Sequence, residues 1–462
     1  MLRRHCETET RLFLDKAMTV NQIRRPVPAC CRRGCGVLGR GLLLLGFLGG
    51  AIGALAQGVL SPPSEPYERP AVSQSVTTNQ MGGIPPLAGA GVQAPGPFQW
   101  GRVDFHPHLL YRFLYGDGIP TGPGEHFKTA IQEISPGLLL NWGSHWMLDY
   151  TPTLRLYSSK QFPDATDELA TMSGKTSYED WGLSLSQTYS SSSAPILETA
   201  APTHQENYLT VFEVSRQMGS QLSAEAGLNQ NFRSSSEGTL HQDLREWSIS
   251  PGMNYQVWSK FGAGLSGSAG YDMVTPGADM SFEQAQVTMK WQAGDKASMT
   301  ANAGLEARQL QGADMINPIF NGTITYRPWD QTTASLTASR AVTPSFYANE
   351  VVVNTSISAT LQQRFLQHFT FEVSGGYTST PFVGFARVEE FTNRRPIGAP
   401  APVATVQTSR EDYSRFARVS LGSTFRQRGT VSIFYSYNDY TSGLAAFAMS
   451  STQVGMEIGW RY

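Results

Sequence analysis

The chain has 462 residues, 40% of them hydrophobic and 16% charged, and its 35 basic and 37 acidic side chains leave no basic surplus for nucleic acid. The first 56 residues hold nine of those bases and three of the acids, which leaves 26 bases against 34 acids, a net charge of −8, in the remainder. All four cysteines (Cys6, Cys30, Cys31, Cys35) lie in that leading segment, so disulfide frameworks, zinc–thiolate sites and cysteine nucleophiles are excluded beyond it.

Residues 1–56 read as a secretory signal. The apolar run from Gly41 to Ala56 follows Arg24, Arg25, Arg32, Arg33 and Arg40 and closes on Ala54-Leu55-Ala56, which places small residues at minus three and minus one of a cut before Gln57. Sixteen residues with five glycines are short for a membrane helix of about 20. Met18 is an alternative start, because the stretch before it adds nothing a signal needs. Residues 57–98 are rich in Pro, Gly, Ser and Ala and lack apolar periodicity, so they are expected to form a flexible periplasmic tail.

Residues 99–462 change character, and strands with one apolar and one polar face recur to the end. Val351, Val353, Thr355, Ile357, Ala359 and Leu361 alternate with Val352, Asn354, Ser356, Ser358, Thr360 and Gln362. Phe369, Phe371, Val373 and Tyr377 oppose Thr370, Glu372, Ser374 and Thr378. Val431, Ile433, Tyr435 and Tyr437 oppose Ser432, Ser436 and Asn438, with Phe434 the exception. Tight polar turns such as Trp142-Gly143-Ser144 and Gln427-Arg428-Gly429 join successive strands, whereas longer connections run from Ser191 to His204, Val342 to Glu350 and Phe382 to Asp412. About 18 strands result, or 16 if the pair at 169–191, turning at Glu179-Asp180, is left out. Short turns on one side and long loops on the other predict an all-β, antiparallel up-and-down transmembrane barrel of the bacterial outer-membrane type. Trp142, Trp146, Trp181, Trp258, Trp291, Trp329 and Trp460 fall near the proposed periplasmic turns, where an indole is half in lipid and half in water.

At the C-terminus Val454, Met456, Ile458, Trp460 and Tyr462 form one face of a last strand that looks like the closing strand of an outer-membrane barrel. That likeness implies that Trp460 and Tyr462 serve as the assembly signal read by the barrel-insertion machinery. The stretch Ala334 to Ser345 (ASLTASRAVTPS), with Thr355 to Phe365 (TSISATLQQRF), resembles the outer-membrane β-barrel porins of the exopolysaccharide-associated type. The resemblance implies a barrel from about Gln99 to Tyr462 and an association with surface-polysaccharide export; it implies no functional residues.

Signals for chemistry are thin. His106 and His108 share one face of the first strand without an identifiable third ligand, and neither a Gly-x-Ser-x-Gly elbow nor a phosphate-binding loop occurs. No catalytic, cofactor or metal residues are assigned, and no enzymatic activity is expected. The polar face says more. Its candidate lumen lining is Glu213, Glu225, Glu246, Lys290, Glu306, Arg308, Arg327, Glu372, Arg418, Arg426 and Glu457, six acids and five bases. A mixed, hydrated lining suits a weakly selective passage for polar solutes, including one that assists polysaccharide export, and does not suit a strong anion filter. The connection from Phe382 to Asp412, with Glu389, Glu390, Arg394 and Arg395, is the candidate constriction loop. The expected partners are outer-membrane lipid, the insertion machinery, and a small polar solute or polysaccharide, with the tail in the periplasm. The alternative is a non-conducting structural or cell-surface barrel, and a lipase-type barrel enzyme ranks third.

Overall fold

The computed structural model describes residues 98–461, apart from 123–124, 197, 199–200, 236–242, 311–312, 348, 367, 390–402 and 426–427. The signal and the tail, apart from Phe98, lie outside the described residues, as do Arg426 and Tyr462.

A short strand, β1 (Phe98–Trp100), lies against β2 (Val103–Gly122). The wall continues through β3 (Glu125–Trp142), β4 (Trp146–Tyr157), β5 (Ala165–Tyr178) and β6 (Trp181–Ser192). A loop then carries a small hairpin, β7 (Pro195–Ile196) and β8 (Ala201–Pro202). The wall resumes with β9 (Gln205–Gln217), β10 (Leu222–Ser235), β11 (Asp243–Trp258), β12 (Phe261–Thr275), β13 (Met280–Gln292) and β14 (Ala297–Leu310). It ends with β15 (Ala313–Trp329), β16 (Thr332–Pro344), β17 (Glu350–Phe365), β18 (Phe369–Glu389), β19 (Val403–Phe425), β20 (Gly429–Ser442) and β21 (Met449–Arg461). Each wall strand pairs antiparallel with its neighbours, and β21 returns to β2 from His108↔Arg461 to Asp117↔Thr452, which closes an 18-stranded barrel. Closure leaves no edge, and a barrel of this size is wide enough to hold an aqueous lumen.

The pair at 169–191 exists as β5 and β6, and its two-residue turn is made by Glu179 in the left-handed region, φ 51°. The outer face is apolar along its strands: Leu154, Phe212, Ile249, Val287, Leu305, Ile357, Phe371, Val419, Ile433 and Val454 are all exposed. Trp142, Trp146, Trp181, Trp258, Trp291 and Trp329 are exposed near the short-turn end. An apolar exterior around a polar interior inverts the order of a water-soluble barrel and fits a wall bathed in lipid.

One part of the wall departs from regularity. β15 and β16 pair only from Trp329↔Thr332 to Phe320↔Arg340. Yet β14–β15 pairing continues to Leu310↔Ala313, and β16–β17 pairing continues to Pro344↔Val351. Pro318 supplies a local cause. Its carbonyl faces β16, accepting from Arg340 Nε at 3.1 Å, so the N–H that proline lacks is one that would have continued the ladder. Above this point the β16–β17 hairpin swings into the lumen. Val342, Val351 and Val353 pack there against Leu244, Val274, Met280, Leu310 and Ile319 on the inner wall.

Two expectations are corrected. Val353, on the apolar face that a barrel would turn to lipid, is only 4% exposed, because the in-folded hairpin turns that face onto the inner wall of β11 to β15. The stretch from Phe382 to Asp412, expected to be a loop, is mostly strand. β18 and β19 stay paired out to Glu389↔Val403, as the β-branched residues Val383, Val388, Val403, Thr405 and Val406 favour, and only 390–402 separates them. Phe434, the exception in its strand's alternation, faces the lumen and packs with Leu114, Ile119, Ile131 and Phe162.

Candidate functional site

The lumen has two charged walls and a narrowed mouth. On the first wall, adjacent strands place opposite charges directly across from one another: Arg112 pairs in register with Glu133 on one side and with Glu457 on the other, and Glu133 pairs with Arg155. The side chains follow the register. Asp167 meets Arg155 at 2.8 Å, and Arg155 meets Glu133 at 3.1 Å. Arg112 meets Glu133 and Glu457 at 3.2 Å each, and Arg418 lies 3.6 Å from Glu457. Three acids and three arginines thus alternate from β5 round to β19, with Glu372 on the same face of β18. On β20 Phe434 fills the gap, with the guanidinium carbons of Arg112 and Arg418 at 5.5 and 4.1 Å from its ring centre. Gly455, directly opposite, makes this possible, since a Cβ there would come 2.4 Å from the Phe434 ring.

The second wall carries Glu246, Asp272, Glu306 and Arg308. Arg308 reaches Glu306 and Asp272 at 2.7 Å each, and its guanidinium lies over Phe282, 4.8 Å from the ring centre. Glu306 also accepts from Gln284 at 2.7 Å. Buried arginine held by two carboxylates is the arrangement that tolerates low dielectric, because planar donors meet both acids with hydrogen bonds. Beside this cluster, under the in-folded hairpin, is a partly open cavity of about 80 Å³; half of its lining residues carry amide or hydroxyl side chains, among them Asn229, Ser248, Ser250, Gln286 and Asn302.

Two loops meet at the mouth. Phe346, fully buried at the hairpin tip, sits 4.0 Å under the Arg233 guanidinium, and Arg233 Nη2 donates to Ser345 O at 2.8 Å. Glu198, in the loop that follows β6, crosses from the far side of the barrel. It accepts a hydrogen bond from the Ser345 hydroxyl and another from Phe346 N–H at 2.8 Å. Burial pushes the Glu198 carboxyl above its ordinary range, against the opposing effects of Ser345 and the Arg233 charge. Nearby, Arg410 binds Asp412 at 2.5 Å, and Asp412 also takes hydrogen bonds from Tyr440 and Ser442.

Of the expected lining residues, Glu246, Glu306 and Arg308 come together on the second wall, and Arg418 and Glu457 join the ladder of the first. Glu213 accepts from Ser184 at 3.3 Å, and Glu225 lies half-buried on β10. Lys290 and Arg327 are exposed near the short-turn rim. Arg426 lies outside the described residues, as do Glu390, Arg394 and Arg395; Glu389 ends β18. Trp460 packs against Phe425 with ring centres 6.0 Å apart. His108 bonds Thr151 at 3.0 Å and lies 3.8 Å from Asp149, and no metal-binding group of three ligands occurs among the described residues. Sequence reading missed Arg112, Glu133, Arg155, Asp167, Asp272, Arg233 and Glu198. The signal for the first three was present: opposite charges on successive strands, which become neighbours once the register is known.

Comparison with protein-family models and with curated protein sequences gives no match. Among solved structures, the chain is similar to the outer membrane protein OpdK of Pseudomonas aeruginosa, at 13% identity and a TM-score of 0.40, over 78% of this chain and 98% of that one. It is similar to OccAB3 of Acinetobacter baumannii at 9% identity and a TM-score of 0.42, over 78% of this chain and 100% of that one. For OccK3 (OpdO) of Pseudomonas aeruginosa the values are 11% and 0.41, over 78% and 96% of the two chains. Likeness at this level leaves the functional reading to the barrel's own geometry.

Proposed function

We propose that this protein is an outer-membrane channel for small polar solutes, with the β16–β17 hairpin as its constriction. The observation that carries the reading is the combination of a lipid-suited exterior, an interior of alternating fixed charges, and a mouth narrowed by two loops joined through Glu198. Fixed charges of both signs keep water in the lumen and offer a solute exchangeable hydrogen bonds without holding one sign of ion. An even strand count, short turns on one side and aromatic residues at that rim support the outer membrane as its location. Polysaccharide export is the less favoured form of the proposal, since a polymer needs clearance along its whole path and the hairpin occupies the mouth.

Planar-bilayer recording tests this. The full chain should form ohmic channels of small conductance, and replacing Ser345–Asn349 with Gly-Gly should raise that conductance several-fold. Absence of current from both proteins would reject the channel and favour a structural barrel.

A further inference from the structure

We propose that the cavity beneath the hairpin takes the uncharged, polyhydroxylated head of a single-chain amphiphile, whose alkyl chain leaves sideways through the open seam between β15 and β16. The proposal goes beyond solute passage and does not require that the lumen conduct.

Four observations converge on it. The first is the seam: residues 313–319 of β15 have no ladder partner on the β16 side, and Arg340 reaching Pro318 O closes the gap with a flexible side chain in place of backbone pairing. The second is that the cavity reaches this seam. Its lining includes Phe320 and Arg340, which belong to the outward face by strand alternation, together with Ser339 and Asn321 on the inward face. The third is the lining's chemistry, which is mixed. On β11 to β14 it presents Ser248, Ser268, Gln284 and Asn302, and near the seam Ile319, Val342 and Pro344 add apolar surface beside Asn321 and Ser339. Uncharged amides and hydroxyls match the donors and acceptors of a sugar, and the apolar side matches a hydrocarbon. The fourth is an unused acceptor: Glu246 lines the cavity, is 2% exposed, and its Oε2 has no hydrogen-bond partner. A buried acceptor left open costs free energy that a ligand hydroxyl would recover.

The height of the seam suits such a ligand. Phe320 lies nine residues along β15 from Trp329, a member of the exposed aromatic rim. At ~3.3 Å per residue and a tilt of ~40°, this is roughly 23 Å above the short-turn rim, near the far edge of a ~25 Å apolar band. The seam therefore opens at the interface, where an amphiphile's head and chain part company. A charged head would meet Arg308 already neutralised by Glu306 and Asp272, so it gains nothing from that cluster.

The test is photolabelling of the full chain in lipid nanodiscs with dodecyl glucoside bearing a diazirine at mid-chain, mapped by mass spectrometry. Labels are expected on residues 316–320 and 341–344, above the general labelling of belt residues such as Leu305 and Ile357. Arg340→Ala, which unlatches the seam, should raise seam labelling several-fold. Ala341→Trp, which fills the cavity beside the seam, should abolish it while belt labelling stays constant; heat-modifiable gel mobility confirms the folded barrel. Labelling confined to the belt, or indifferent to both substitutions, overturns the proposal. A loss in Ala341→Trp with no change in Arg340→Ala overturns the sideways path, because the probe then enters from the lumen.

Discussion

Replacing Glu198 with alanine tests whether the loop after β6 holds the mouth closed. In the structure one carboxyl oxygen accepts from the Ser345 hydroxyl and from Phe346 N–H. The hydroxyl has a second acceptor in Glu350 Oε2 at 3.3 Å, so its loss is softened. Phe346 N–H belongs to a fully buried residue, and leaving such a donor open costs ~1–3 kcal/mol. At 1.4 kcal/mol per factor of ten, the closed arrangement weakens by roughly 5- to 150-fold. Single-channel recording should show longer and larger openings, and limited chymotrypsin digestion should cut the freed hairpin tip at Phe346 and Tyr347 sooner than in the parent. The pH dependence carries the sign. Burial raises the carboxyl, so the closed mouth favours its protonated form. That stabilisation is complete below the ordinary carboxylate range and is lost as pH rises through the raised value. Conductance of the parent should therefore climb with pH, Glu198→Gln should stay closed at high pH, and Glu198→Ala should be open and insensitive to pH. Identical traces and digestion patterns for parent and Glu198→Ala would refute the reasoning.

Other perturbations separate the walls from the mouth. Glu133→Gln removes the acid shared by Arg112 and Arg155, so the reversal potential in a potassium chloride gradient should move toward that of chloride; no movement would put the ladder outside the current path. Phe371→Arg places a charge on the lipid face and should cost ~2–4 kcal/mol in urea unfolding from vesicles. Val353→Arg should instead leave the wall intact and expel the hairpin, read as raised conductance, and equal loss of folding in both would contradict the inward hairpin. Gly455→Val should push Phe434 out from between Arg112 and Arg418 and lower the melting temperature, whereas Gly443→Val, with only backbone of Glu411 near, should not.

Much of the wall was legible because alternation survives at every strand from Ile357-x-Ala359-x-Leu361 to Val454-x-Met456-x-Ile458, and the turns are short wherever the chain reverses at the aromatic rim. The inward hairpin was not legible. Val351 and Val353 continue the same alternation whether their face meets lipid or an inner wall, so periodicity cannot separate the two. What separates them is Pro318, one missing donor on a neighbouring strand, and its effect depends on which way its carbonyl points. The same limit hid the charge ladder. Arg112, Glu133 and Arg155 are 21 or 22 residues apart in sequence and become a row only through register. Length alone makes the stretch from Phe382 to Asp412 read as a loop, while Val383 to Val388 and Val403 to Val406 go on pairing as strand.

The ladder has a consequence for how the barrel is made. Arg112 sits on the first strand of the wall and Glu457 on the last, 3.2 Å apart only when β2 and β21 are joined. A chain inserted strand by strand carries these charges into a thin, weakly polar environment before they meet. Before closure Arg112 meets Glu133 but not Glu457, and Glu457 meets Arg418 but not Arg112, so a barrel open at this juncture leaves each of these two terminal charges with one partner in place of two. Joining the ends completes the row in one step, which makes the open form costly and its reopening slow. The wall thus favours its own completion, and the chemical distinction between a finished barrel and an unfinished one is written across the single junction that joins the two ends of the wall.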